Sequence, residues 1–169
     1  MTDKFCKFCG GEHVEKEFPL NCPHCNTITW FSPSPVAVLL QSTYNPLTGA
    51  LGVVIGRRMI QPKLGEYGLV GGYIDSSDPT VEYAAAREFF EETGVKISHK
   101  KMSIDHSYSD GRHLLIFVHN EEVLSEDYVL DNFVPNSECD HIRIAYKPEE
   151  LCFISHTEAL GRFFTKSVA

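Results

Sequence analysis

Three glutamates, Glu88, Glu91 and Glu92, stand in the run Arg87-Glu88-Phe89-Phe90-Glu91-Glu92-Thr93-Gly94-Val95. At 3.6 residues per turn, positions i, i+3 and i+4 share one helical face, which brings three carboxylates within a few ångströms of each other. Like charges so placed repel. The penalty is small if the face lies in water, where screening weakens it, and is reversed if a divalent cation sits among the acids. Carboxylates are hard oxygen ligands suited to Mg²⁺ or Mn²⁺. An ion held there would supply positive charge to a small anionic substrate and acidify an attacking water, so the chemistry on offer is metal-assisted hydrolysis. Gly71 and Gly72 precede the run and let backbone approach the same ion. Arg87 lies i,i+4 from Glu91 and can orient its carboxylate, while Phe89 points to the core.

A second constellation lies near the N-terminus: Cys6-Lys7-Phe8-Cys9-Gly10 and Cys22-Pro23-His24-Cys25-Asn26, with twelve residues between the pairs. Two such knuckles can wrap one tetrahedral Zn²⁺. A redox pair or two disulfides would use the same residues. A Gly or Asn after each knuckle favours zinc, and a segment this short needs the metal to fold, so the zinc is structural. His13 and His24 could each replace a ligand. Cys139 and Cys152 read as reduced, non-catalytic thiols.

The elements that must position these groups are legible in outline. The chain has 169 residues, 43% of them hydrophobic, enough for one core and a small satellite module. Its net charge of -8 and pI near 5.4 argue against duplex nucleic acid as a partner. Neither a signal-peptide core nor a membrane-length apolar run is present, so the expectation is a cytoplasmic protein. SPSP at 32–35 reads as a stiff linker between a ribbon at 1–32 and a catalytic domain at 33–169. VAVLL and LGVVIG are buried strands across a turn-rich YNPLTG, and HLLIFVHN and IRIAY are two more. A helix is expected over 79–93, with Asp78 as N-cap, Pro79 first and Gly94 as its left-handed stop. EEVLSEDYVLDN reads as a mobile excursion, and Ser155-x-x-Glu158 as a capping box opening a last helix. The pattern is an α+β fold: a mixed sheet flanked by at least two helices.

Arg87 to Val95 fits the second half of the Nudix hydrolase box without a mismatch, and Gly65-Glu66-Tyr67-Gly68-Leu69-Val70-Gly71-Gly72 resembles the family's lead-in, with Tyr for Trp and Val for Pro. VVIGRR at 53–58 resembles the preceding strand that ends in Arg. The first half departs from the pattern: Asp78 stands where Glu is usual, and eight residues rather than seven separate it from Arg87. The bare alternative for the acids is a solvated helix face. The glycine pair, the Gly94 stop and the lead-in displace it.

The resemblance implies a Nudix α/β/α sandwich behind the zinc ribbon, and catalytic Mg²⁺ or Mn²⁺ held by Glu88, Glu91, Glu92 and the Gly71 carbonyl. It also implies a further acid from a later loop, Glu138 or else Asp140. Arg57 and Arg58 are candidates to grip a phosphate, and Phe153, Tyr67 and Tyr108 to stack a base. A ribbon ahead of a Nudix domain resembles the subgroup acting on NADH, ADP-ribose or FAD, but the NADH branch's SQPWPFP stretch has no counterpart. The implied function is hydrolysis of a nucleoside diphosphate linked to another moiety, releasing a nucleoside monophosphate, with a small nucleotide as partner and a homodimer among the expected states. Two alternatives stay open: a nucleotide sensor without catalysis, and an RNA-end hydrolase whose ribbon uses Lys4, Lys7 and Lys16.

Overall fold

The computed structural model describes residues 4–15 and 17–167; Lys16 lies outside them. The chain divides into two compact units, Met1–Pro33 and Ser34–Ala169.

In the first unit each CxxC lies on a tight turn. Gly10 N donates to Cys6 O and Asn26 N to Cys22 O, at 2.9 and 2.8 Å. Gly10 and Asn26 take the left-handed conformation, which lets backbone double back under the sulfurs. A short antiparallel pair, β1 (Leu20–Asn21) and β2 (Ile28–Thr29), closes the unit, with Leu20, Cys6 and Cys22 buried.

The second unit is built on a seven-stranded mixed sheet. Its strands are β3 (Ser34–Tyr44), β4 (Leu51–Arg58), β5 (Tyr67–Gly68), β6 (Gly71–Tyr73), β7 (Met102–Ser109), β8 (His113–Ser125) and β9 (Cys139–Ala145). The main path runs β5-β4-β3-β8-β7, with β6 on β3 and β9 on β4; β3 and β8 are parallel and the other pairs antiparallel. Residues alternate across the sheet. Ala37 and Leu39 face a layer containing α1 (Val81–Thr93) and α2 (Glu126–Asp131), through Ala84, Ala85, Phe89 and Val129. Val38 and Leu40 face α3 (Ile154–Ser167) through Ala159, Leu160 and Phe163. With both faces covered, β3 is a continuous apolar run, as the sequence shows.

Several boundaries differ from the sequence reading. β3 begins at Ser34, so part of the SPSP stretch is strand; Pro35 O accepts from Ile74 N. α1 begins at Val81 with Thr80 as its cap, the hydroxyl accepting from Tyr83 N at 3.2 Å; Asp78 is drawn away by Arg87. The acidic segment is no mobile excursion: β8 runs on to Ser125, and α2 follows with Val129 fully buried. α3 starts one residue before Ser155, whose side chain is buried, so no capping box opens it. β7, half polar and mostly exposed, lacks the apolar periodicity that would announce it.

Candidate functional site

Gly71 and Gly72 sit in β6 against β3 and beneath α1. A Cβ on Gly71 would lie 2.2 Å from Ala37 O, and one on Gly72 would lie 2.3 to 2.7 Å from the Glu88 carboxyl. Only glycine leaves room for strand pairing at the first position and for a carboxylate at the second. The Gly71 amide donates to Glu92 Oε1 at 3.1 Å, so the bend also fixes one acid directly.

Arg87 is the hub. Its Nε and Nη2 reach the two Asp78 oxygens at 3.0 and 2.8 Å, its Nη1 reaches Glu88 and Glu91 at 2.8 and 2.9 Å, and Nη2 also donates to Tyr73 O at 2.9 Å. The Asp78 side chain is 1% exposed. The shorter acid and the one extra loop residue therefore close a buried bidentate pair with the arginine. Hydrogen bonds from Arg87 hold Asp78 below the usual carboxylate range, and Asp78 in turn raises the arginine's. Burial acts oppositely on the remaining acids: it pushes Glu88 up in spite of Arg87, and lifts Glu92 to about 8 in spite of the Gly71 amide.

Glu138 enters from the segment before β9. Asn136 secures it: its amide donates to Glu91 O and Glu92 O at 3.0 and 2.9 Å, while its oxygen accepts from Glu138 N and Cys139 N. Nothing in the sequence announced Asn136. An Asn two residues before an acid is at most a turn signal, and its helix partner lies 44 and 45 positions upstream.

These residues line one end of a cavity of about 990 Å³. Val36, Val38 and Leu115 form its floor; Arg58, Phe153 and His156 stand at one side, Tyr73, Tyr108 and His113 at another. Arg58 lies 5.2 Å from the Phe153 ring centroid, and His156 packs edge-on to Phe153 with its Nδ1 accepting from Leu69 N at 3.1 Å. Burial drives His156 down to about 3, so this ring is neutral.

The structure thus gathers Gly71, Arg87, Glu88, Glu91, Glu92, Glu138, Arg58, Tyr108 and Phe153 around one cavity and leaves others out. Arg57 makes a two-pronged ion pair with Asp140 at 2.7 and 2.9 Å, and neither residue is among those lining the cavity. Tyr67 hydrogen-bonds His141 and carries Arg143 over its ring, outside the cavity lining. Cys139 and Cys152 are buried free thiols raised by burial to about 11, so they stay protonated.

Among the described residues, only Cys6, Cys9, Cys22 and Cys25 form a set of three or more His, Cys, Asp or Glu ligands whose donor atoms all lie within 4.8 Å of one another. Four thiols at that spacing fit a tetrahedral metal. His13 is buried beside the first knuckle and outside the set, with no partner for its ring nitrogens among the described residues. His24 packs over Gly11. The glutamates are spread more widely: Glu88 and Glu91 pair with Arg87, and Glu92 accepts from the Gly71 amide. They retain oxygens not used by Arg87 or Gly71, which suits a divalent cation.

The NUDIX domain profile matches residues 33–165. The NAD-capped RNA hydrolase NudC of Haemophilus influenzae is 30% identical over 100 residues, which cover 57% of this chain and 35% of that protein. The chain spans about a third of the length of the curated relatives it matches. A NUDIX hydrolase from Nitrosomonas europaea superposes with a TM-score of 0.67 at 22% identity, over 96% of this chain and 91% of the other. The NUDIX domain of Shewanella oneidensis NrtR, complexed with ADP ribose, gives 0.58 at 17% identity, over 82% and 90%. No helix among the described residues is long and apolar enough to cross a membrane.

Proposed function

The chain belongs to the Nudix family, and on that premise we propose that it hydrolyses a nucleoside diphosphate linked to a second moiety, of the ADP-ribose, FAD or dinucleotide type. The observation that carries this reading is the cavity itself: carboxylates and a glycine bend at one end, an apolar floor with an aromatic and cationic wall beside them. The acids suit the divalent ion, and the wall suits a base and its sugar. That the NUDIX domain of Shewanella oneidensis NrtR, which shares the fold, is complexed with ADP ribose supports this class of ligand.

Glu88, Glu91, Glu92 and the Gly71 carbonyl would hold Mg²⁺ or Mn²⁺, which supplies charge neutralisation on the diphosphate and a more acidic water. Arg87 keeps Glu88 and Glu91 in place from behind. Arg58 faces the developing phosphate charge, with Phe153 beside it for the base. Glu138, fixed by Asn136, takes the proton of the attacking water. The oxygen of that water bonds to phosphorus as the bridging P–O bond breaks. The bridging oxygen leaves with the other phosphate, so a nucleoside monophosphate and a phosphorylated second moiety result. In the first unit the four cysteines would hold Zn²⁺ as a structural ion.

The test is a panel of ADP-ribose, FAD, NADH, diadenosine polyphosphates and nucleoside triphosphates with Mg²⁺ or Mn²⁺, scored by product. Release of a nucleoside monophosphate from a linked diphosphate supports the reading; tight binding to one of them with no turnover on any replaces it with the sensor reading. A second reading, hydrolysis at a capped RNA end, is favoured by the activity named for the NudC relative and by Phe8 and Trp30. These are 74% and 67% exposed on the first unit and available for base stacking. Faster release from a capped oligoribonucleotide than from its free dinucleotide would select it.

A further inference from the structure

One wall of the cavity carries a hydrogen-bonded chain that the metal chemistry leaves unused. Asp110, in the turn between β7 and β8, accepts from Arg112 N and His113 N on Oδ1 at 2.8 and 2.7 Å, leaving Oδ2 to meet His113 Nδ1 at 2.9 Å. The other ring nitrogen, Nε2, lies 3.2 Å from the Tyr73 hydroxyl. All three residues line the cavity, and Tyr73 is 56% exposed. The backbone of the same tyrosine belongs to the acidic end, because Tyr73 O accepts from Arg87 Nη2. Tyr73 therefore spans from the diphosphate machinery to the β7–β8 turn.

The direction of the chain follows from its fixed end. Hydrogen bonds from His113 and from backbone hold the Asp110 carboxyl down to about 2, so its oxygens only accept. A carboxylate that only accepts is matched by a proton on His113 Nδ1, and in the neutral tautomer of the imidazole that carries it there, Nε2 offers a lone pair. Tyr73 donates to that lone pair. Its single proton is thereby committed, and what the phenol oxygen shows to the cavity is acceptor capacity alone. A phosphate oxygen, itself an acceptor, gains nothing from such a group. A sugar hydroxyl does.

We propose that Tyr73, oriented through His113 by Asp110, accepts a hydrogen bond from a sugar hydroxyl of the substrate and so selects linked nucleoside diphosphates that present one beside the diphosphate. The inference rests on the diphosphate reading above. The hydroxyl has two sources, the nucleoside ribose and a second sugar beyond the diphosphate. Tyr73 touches substrate; His113 and Asp110 act through it as positioning residues.

The experiment compares ADP-ribose with two analogues: one 2′,3′-dideoxy on the adenosine side, and the methyl ester of the ADP β-phosphate, which lacks the second sugar. Wild type, Tyr73→Phe, His113→Ala and the double variant are measured for kcat/KM with Mg²⁺, and for equilibrium binding with Ca²⁺ in its place. Wild type should prefer ADP-ribose over one analogue by about tenfold, the worth of one hydrogen bond to a reading group. That preference should collapse in Tyr73→Phe, fall in His113→Ala, and fall no further in the double variant. Which analogue shows the effect identifies the source of the hydroxyl. A preference unchanged in Tyr73→Phe, or an equal loss on all three substrates, overturns the inference and leaves the chain as a tie for the β7–β8 turn. Absence of turnover with a Tyr73-dependent binding preference would instead overturn the hydrolysis reading and leave this one standing.

Discussion

Arg87 hydrogen-bonds three carboxylates, and its bond to Asp78 differs in kind from its bonds to Glu88 and Glu91. Asp78 is sealed from solvent, whereas the Glu91 side chain is 55% exposed. Asp78→Ala should therefore act on stability, lowering it by about 2–3 kcal/mol in a denaturant titration because two charge-assisted hydrogen bonds go and a partly buried guanidinium loses its most buried carboxylate. Glu91→Gln should do the reverse: unfolding unchanged, turnover lowered roughly a hundredfold or more through loss of a charged ligand. Unchanged turnover would remove Glu91 from the metal shell. Spacing alone made the glutamate face legible, since helical period is a local property. The partner of Asp78 was not legible, because an extra loop residue changes where an acid points without changing its type. Asn136 stayed hidden for a related reason: its work is a contact to helix carbonyls set by the path of the chain between them.

At the scale of elements, the bend at β6 and the face of α1 form one object. Gly72→Ala would drive a methyl group into the Glu88 carboxyl, so it should weaken Mn²⁺ binding by about tenfold or more in a titration, while unfolding changes little. Equal affinity in the variant would show that Glu88 holds no ion. The burial of Glu92 gives a pH signature. Its folded pKa of about 8 stands above the ordinary ~4.3, so in metal-free protein its contribution to stability is complete below ~4.3 and is lost as pH rises through about 8. A cation takes the ionised form. The gain in Tm from added Mg²⁺ should accordingly increase from about pH 6 to about pH 9, and a gain independent of pH would place Glu92 outside the shell. The central strands were readable as apolar runs because both sheet faces are covered. β7 and α2 were not: each is mostly exposed, and α2 is held by one buried valine that leaves no periodic trace.

Across the whole molecule, the chemistry divides by ligand type: thiolates in the first unit, carboxylates in the second. Soft and hard donors select different ions. A zinc-selective chelator should expose the four thiols to a thiol reagent while leaving the circular dichroism of the sheet in place; loss of both together would show that the two units fold as one. The central claim is that acids on one side of α1 hold hard cations against the glycine bend, where the diphosphate is cleaved. It is tested most directly by anomalous diffraction from crystals soaked with Mn²⁺ and ADP-ribose. Manganese peaks should lie about 2.2 Å from carboxylate oxygens of Glu88, Glu91 and Glu92 and from the Gly71 carbonyl, with diphosphate oxygens completing the shell. A nucleotide bound in the cavity with no manganese on those residues would contradict it.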